Sequence, residues 1–257
     1  MDRMRALVIR EYDPRRPALE VAVSHALVER ANEGALGPVV RLYRPMPTLA
    51  FGRLDVLRPN FAAAAAAARE LGFEPVVRAP GGHAVAYHGG CLGIDEALPE
   101  RDPIAGLQDR FAASGALLAE ALRTLGVDAR VGRVAGEFCP GDFTVNARGA
   151  VKLVGTAQRV VRHASLLAAS VAVTGGAALR DALAAVYDPL ELDWDPATAA
   201  AIEDDAPGVT LDDVERAVLD AYAARYELVE ASVDAATLAL AARLEARHVV
   251  PASTAAG

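Results

Sequence analysis

What most constrains this chain is how its strand-like runs are punctuated. They come in neighbouring pairs joined by tight turns, and helical stretches fall between the groups. Residues 84–87 and 92–94 flank Gly89-Gly90, while 143–146 and 152–162 flank Arg148-Gly149 in the manner of a hairpin. Strands paired locally argue for an α+β fold with mixed or antiparallel sheets flanked by helices, not a regular β-α-β alternation. Further strands are expected at 4–9, at 39–43 (broken by Pro45 and Pro47), at 75–78 and at 127–131, with an apolar run at 166–173 before Gly175-Gly176. Helical spacing of apolar residues marks 19–32, 61–71 between a cap at Asn60 and a stop at Gly72, and 103–125 ended by Gly126. Two more helices, 211–226 and 234–248, each open on Thr or Asp.

An acidic stretch at 188–205 holds the only tryptophan, Trp194. It divides an expected catalytic domain, 1–187, from a small C-terminal helical appendage, 188–250, with residues 251–257 expected to be a disordered tail. The net charge of −8 argues against a general nucleic-acid binder, which needs a basic face for phosphates. No run approaches the roughly 20 apolar residues of a membrane span, and the charged N-terminus lacks a signal-peptide core. A cytoplasmic protein with neither nucleic-acid nor membrane partners is the expectation. Cys91 and Cys139 are too few for a disulfide framework and should be free thiols. With His25, His83, His88, His163 and His248 scattered and no Cys-x-x-Cys, no metal site is expected.

Two segments carry chemistry. The first is Arg78-Ala-Pro-Gly81-Gly82-His83-Ala84-Val85; the second joins Cys139-Pro-Gly-Asp-Phe143 to Lys152-Leu-Val-Gly155-Thr156-Ala157-Gln158. Backbone opened by glycine, a thiol and a fixed cation are the parts an acyl-transfer site needs. Each also has a plain structural reading: a turn at Gly81-Gly82, a solvated Arg78, a packed Cys139, a hairpin Lys152 facing water. Lys152 stands out because the chain prefers arginine, and Cys139 because Pro140-Gly141 favours an exposed loop. Cys91 reads as a small packed strand residue, and His88 and His163 as proton carriers or ordinary polar contacts.

At these residues the chain resembles the lipoate/octanoate ligase and transferase family, which shares a catalytic fold with biotin ligases. The family's Arg, Gly-rich turn and Ala-Val are matched at 78–85. Its Lys with Gly three residues on, then a small residue and Ala-Gln, is matched at 152–158, and a strand running into Pro-x-x-Leu-x-x-Gly is matched at 41–53. The Cys-Pro-Gly segment is similar to that of the octanoyl-[glycine cleavage H protein]:protein N-octanoyltransferase branch. ATP-dependent ligases lack that cysteine and carry a third glycine where His83 stands. The resemblance implies an octanoyl or lipoyl group moved between lysines of lipoyl-domain proteins, namely the glycine cleavage H protein and 2-oxoacid dehydrogenase E2 subunits. Cys139 would form a thioester and Lys152 would stabilise the oxyanion. Arg78, Gly81, Gly82, His83, Ala84, Gly155, Thr156 and Ala157 would bind the substrate, with no cofactor. Arg130, Arg133, Arg148 and Arg159 would form a basic docking patch. The alternatives are an ATP- and Mg-dependent lipoate ligase using Lys152, octanoyl transfer from acyl carrier protein through Cys139, and an inactive lipoyl-domain binder.

Overall fold

The computed structural model describes residues 3–252. Strand β1 (Arg5–Glu11) leads into helix α1 (Pro17–Asn32), and the chain continues through β2 (Val39–Tyr43), β3 (Thr48–Phe51) and the single turn α2 (Arg53–Val56). Pro17 suits the first helical position because its missing N–H has no intrahelical partner to lose. Helix α3 (Phe61–Glu70) precedes β4 (Glu74–Val77), β5 (Val85–Tyr87) and β6 (Cys91–Pro99). Then come α4 (Leu107–Thr124), β7 (Ala129–Val131), β8 (Val145–Ala147), β9 (Val151–Val160), β10 (Ala164–Ala172) and α5 (Gly176–Tyr187). Helix α6 (Leu211–Arg225), β11 (Glu227–Ala231) and α7 (Ala235–Leu244) follow.

The strands form an eight-stranded sheet, ordered β11-β1-β2-β6-β10-β9-β8-β7, and a three-stranded sheet, β4-β3-β5. Most neighbours are antiparallel, but β1 lies parallel to both β2 and β11, and β3 parallel to β4, so both sheets are mixed. Alternation along the central strands assigns their two faces. Leu92 and Ile94 of β6, with Leu167 and Val171 of β10, pack against Leu118 and Leu122 of α4 and Val218 of α6. On the opposite face, Ala97 and Leu166 meet Val23 and Leu27 of α1. Further along that face the small sheet, α3 and α5 bury Phe51, Ala68, Leu179 and Leu183. The α+β architecture read from sequence is therefore the one observed, with Val21 of α1 packed on Ala50 and Val76 of the small sheet.

Several elements depart from the sequence reading, the short β3 and α2 among them. Strand β6 runs through Asp95 and Glu96, carboxylates that interrupt its apolar pattern but are buried and paired: Asp95 with Ser24 and Arg41, Glu96 with Tyr226. Helix α5 was hidden because Gly175-Gly176 reads as a break; Gly175, in the left-handed region at φ 76°, instead caps the helix. Strand β11 separates the last two helices and extends the main sheet beside β1, while α6 packs on α4 in the central core. Residues 188–250 thus supply a strand and a core helix as well as surface helices. The tail expected at 251–257 lies, from residue 253 onward, outside the described residues. Among the described residues no helix is long and apolar enough to cross a membrane.

Candidate active site

Strand β4 delivers Arg78 to a loop that returns through Gly81, Gly82, His83 and Ala84 into β5. The loop is tied to β9, where Gly81 N donates to the Gln158 carbonyl at 3.3 Å. Cys139 enters from the β7–β8 loop with φ 41°, a left-handed conformation uncommon outside glycine. Its half-buried Sγ accepts the His83 backbone N–H at 3.2 Å and lies 3.6 Å from Arg78 Nη2. Gly82 makes this meeting possible. It has φ 94°, and a Cβ there would fall 2.6 Å from Arg78 Nη2 and 2.8 Å from Sγ. Tyr187 of α5 joins the two loops: its hydroxyl accepts Cys139 N–H at 2.9 Å and donates to the Ala84 carbonyl at 3.0 Å. Trp194 braces this corner against Phe138 and Tyr187, with ring centroids 6.0 and 5.5 Å away.

Lys152, on β9, is the only lysine in the chain. Its ammonium has three protons and three partners: the carbonyls of Phe138 at 3.0 Å and Cys139 at 2.8 Å, and Glu137 Oε2 at 2.9 Å. The Glu137 side chain is fully buried, and it also accepts from Val134 N and Thr144 Oγ1. Lys152 and Glu137 together hold the cysteine loop from beneath. The donors beside the sulfur, where a developing oxyanion would meet them, are Arg78 and the His83 N–H. Arg78 Nε is buried with no hydrogen-bond partner among the described residues, leaving one donor free for a ligand.

Two cavities meet at Cys139 and Lys152. The first is a chamber of about 90 Å³, several times what one water needs. It lies under Val85 and Tyr87 of β5, against Val21 of α1 and Leu179 and Leu183 of α5. Its sheet-side wall is built from small residues, Gly155, Ala168, Ser170 and Ala172, and their missing bulk makes the space. Its lining also includes the polar residues Ser24, Tyr43 and Asp95. Asp95 is fully buried; Oδ2 accepts from Ser24 and Arg41, while Oδ1 has no partner. Burial pushes its carboxyl up, against the pull of Arg41. The second cavity, a more open cleft of about 320 Å³, runs from Gly81 and Gly82 past Ala157 and Gln158 to Phe111 and Phe143. Those two rings stack 6.0 Å apart. Among the sequence candidates, Arg78, Gly155 and Thr156 line the chamber, Gly81, Gly82, Thr156 and Ala157 line the cleft, and Ala84 is held by Tyr187.

Other candidates serve elsewhere. Cys91 is buried on the chamber side with its thiol pushed up by burial to about 12, in keeping with a packing role. His88 accepts from Gly90 N and steadies that turn. His163 offers its backbone N–H to Asn32. The arginines named for docking are partly spent: Arg130 pairs with Asp128, Arg133 with Asp142 and Arg148 with Asp205. Sequence reasoning missed Glu137, Tyr187 and Asp55. Glu137, two residues before the cysteine, could have been matched to the lone lysine by charge; Tyr187 and Asp55 carried no local signal. Among the described residues no cluster of three His, Cys, Asp or Glu could hold a metal ion.

A thiol set in an N–H and guanidinium nest lies between a small-residue chamber and an open cleft on a two-sheet α+β frame. Residues 16–223 match the lipoyl protein ligase A/B catalytic domain, and the chain belongs to that family. It is 30% identical over 159 residues to the octanoyl-[GcvH]:protein N-octanoyltransferases of Geobacillus kaustophilus (strain HTA426) and Anoxybacillus flavithermus (strain DSM 21510 / WK1). The match takes in 62% of this chain but only 56% and 57% of those relatives, so it spans little over half their length. In fold it is similar to a bi-partite lipoate protein ligase from Thermoplasma acidophilum, with TM-score 0.71, 19% identity and coverage of 96% and 93% of the two chains. It is also similar to a lipoate-protein ligase A bound with ATP, with TM-score 0.70, 21% identity and coverage of 96% and 95%.

Proposed function

We propose that this protein is an acyltransferase that moves an octanoyl group, or its lipoyl relative, from a lysine amide on one lipoyl-domain protein to a lysine on another. Cys139 carries the acyl group between them as a thioester. The observation that carries this reading is that Cys139 lines both the chamber and the cleft. The alkyl chain would lie in the chamber while donor and acceptor lysines arrive through the cleft. An amide exchanged for an amide is nearly balanced in free energy, so no nucleotide is required. The His83 N–H and the Arg78 guanidinium, both beside the sulfur, would stabilise the tetrahedral oxyanion, a type of contact worth roughly 3 kcal/mol per preorganised donor. The glycine cleavage H protein and E2 lipoyl domains are the partners this reading implies.

The test is incubation with octanoylated glycine cleavage H protein, with no ATP, followed by intact-mass and peptide mapping. The expected result is an octanoyl adduct on Cys139 that chases onto an added E2 lipoyl domain and is absent in Cys139→Ser. Octanoyl or lipoyl transfer that requires ATP and survives Cys139→Ser would replace this reading with an adenylate-forming ligase.

A further inference from the structure

The polar side chains around the sulfur largely hold one another. Lys152 gives its three protons to two loop carbonyls and Glu137, and the His83 ring is bonded through Nδ1 to Asp55 Oδ1 at 2.8 Å. One buried carboxylate breaks that pattern. Asp95 is fully buried, and among the described residues that line the chamber it is the one carboxylate. Its Oδ2 takes both donors that reach it, Ser24 Oγ at 2.7 Å and Arg41 Nη1 at 2.9 Å. Arg41 turns its other nitrogens to Glu11, at 2.6 Å, and to Glu20. Asp95 Oδ1 has no partner among the described residues.

Strand register places this oxygen relative to the sulfur. Strands β9, β10, β6 and β2 lie side by side, and their pairing sets two rows across the sheet. One is Gly155–Ser170–Gly93–Tyr43 and the other Ala157–Ala168–Asp95–Arg41. Strand β9 also carries Lys152, which grips the Cys139 carbonyl. Asp95 stands two strand spacings from β9, about 10 Å across the sheet, a distance of the order of an extended octanoyl chain. The chamber lining between them is Gly155, Ala168 and Ser170, small residues that leave room above the sheet. In the first row the Tyr43 ring lies over Gly93, where a Cβ would come within 2.3 Å of it. Asp95 is the polar group in the row beside it.

The walls facing the sheet are hydrocarbon, with Val21, Val85, Leu179 and Leu183. A tail that fills the chamber displaces water from Oδ1, and a buried oxygen without a partner destabilises whatever state contains it. Ionised, Oδ1 needs a donor; protonated, it can donate as well as accept. A hydroxyl or thiol serves either form, and a methyl end serves neither.

We propose that Asp95 Oδ1 is a polar subsite of the chamber, and that the acyl group best fitted there bears a hydroxyl or thiol on its distal carbons. The inference rests on the reading of the chamber as the acyl site. It ranks hydroxyoctanoyl and the dithiol form of lipoyl ahead of plain octanoyl. Asp95 takes no part in the bond changes at sulfur; it decides which tail is preferred.

The experiment titrates wild-type protein with four Nε-acyl-lysine amides by calorimetry under reducing conditions. Their acyl groups are octanoyl, 6-hydroxyoctanoyl, 8-hydroxyoctanoyl and dihydrolipoyl, and binding is read without any transfer step. At least one polar tail should bind roughly tenfold more tightly than octanoyl. Asp95→Leu should invert that order, while Asp95→Asn, which keeps polar atoms at the position, should retain it. Octanoyl binding as tightly as every polar tail in wild type would overturn the proposal, and this comparison needs no variant to fold. An unchanged ranking in Asp95→Leu, or no binding of any of the four, would overturn it too. The tail that binds best separates hydroxyl from thiol chemistry. A wild type that ranks the amides as expected, yet forms no thioester with octanoylated glycine cleavage H protein, defeats the acyl-transfer reading and leaves the subsite standing.

Discussion

Replacing Lys152 by Met separates a lysine that supports the cysteine loop from one free to act on a ligand. Met keeps most of the apolar stem and removes the ammonium. Glu137, with a fully buried side chain, then loses its only cation, 2.9 Å away, and the Phe138 and Cys139 carbonyls lose a donor. Breaking a buried ion pair from one side typically costs about 3–5 kcal/mol. An escape by protonation caps the Glu137 share. Protonating an ordinary glutamate costs about 1.4 kcal/mol per pH unit above its usual range, so about 4 kcal/mol at pH 7 and about 1 kcal/mol at pH 5. The sign follows: in the variant the folded state binds a proton that the unfolded state has released, so stability falls as pH rises from 5 to 7. Urea unfolding at both pH values measures this. The expected loss is several kcal/mol at pH 7, shrinking at pH 5, together with loss of acyl transfer. A variant within about 1 kcal/mol of wild type at pH 7, yet inactive, would refute the loop-holding role and return Lys152 to direct contact with the acyl carbonyl.

Native alkylation at pH 8 should modify Cys139 and spare Cys91, whose thiol burial pushes up to about 12; both should react after unfolding, and labelling of Cys91 in the native protein would contradict its packing. Burial, with His248 beside it, holds His25 down to about 4. Because the folded value lies below the unfolded one, stability should be full above about pH 6.5 and fall between about 6.5 and 4, by at most about 3 kcal/mol. Urea midpoints across that range should show the loss in wild type and a smaller one in His25→Phe; equal slopes would remove His25 as the cause.

Much of the fold could be read before the structure because its signals are local. The 39–43 strand is observed as Val39–Tyr43, and the Arg148-Gly149 turn has positive φ at both residues. The helix expected at 61–71 is Phe61–Glu70. What escaped was set by partners distant in sequence. Asp95 and Glu96 look unlike strand residues until Arg41, Ser24 and Tyr226 come across to them. Strand β11 gains its identity only by pairing with β1, more than two hundred residues earlier. The site divides the same way. Arg78, Gly82, His83 and Cys139 do converge, and the motifs announced them; the grip of Glu137 on Lys152, the Tyr187 link and the Asp55–His83 pair are tertiary facts.

Under the proposed acyl transfer, the unpaired oxygen of Asp95 in the chamber lining would act as a ruler on the tail. A methyl terminus pressed against it would strand a polar atom with neither water nor donor, at a cost of roughly 1–3 kcal/mol. Tail length would then be gauged by electrostatics at the tip, and trimming bulky side chains along the walls would do little to lengthen the accepted chain.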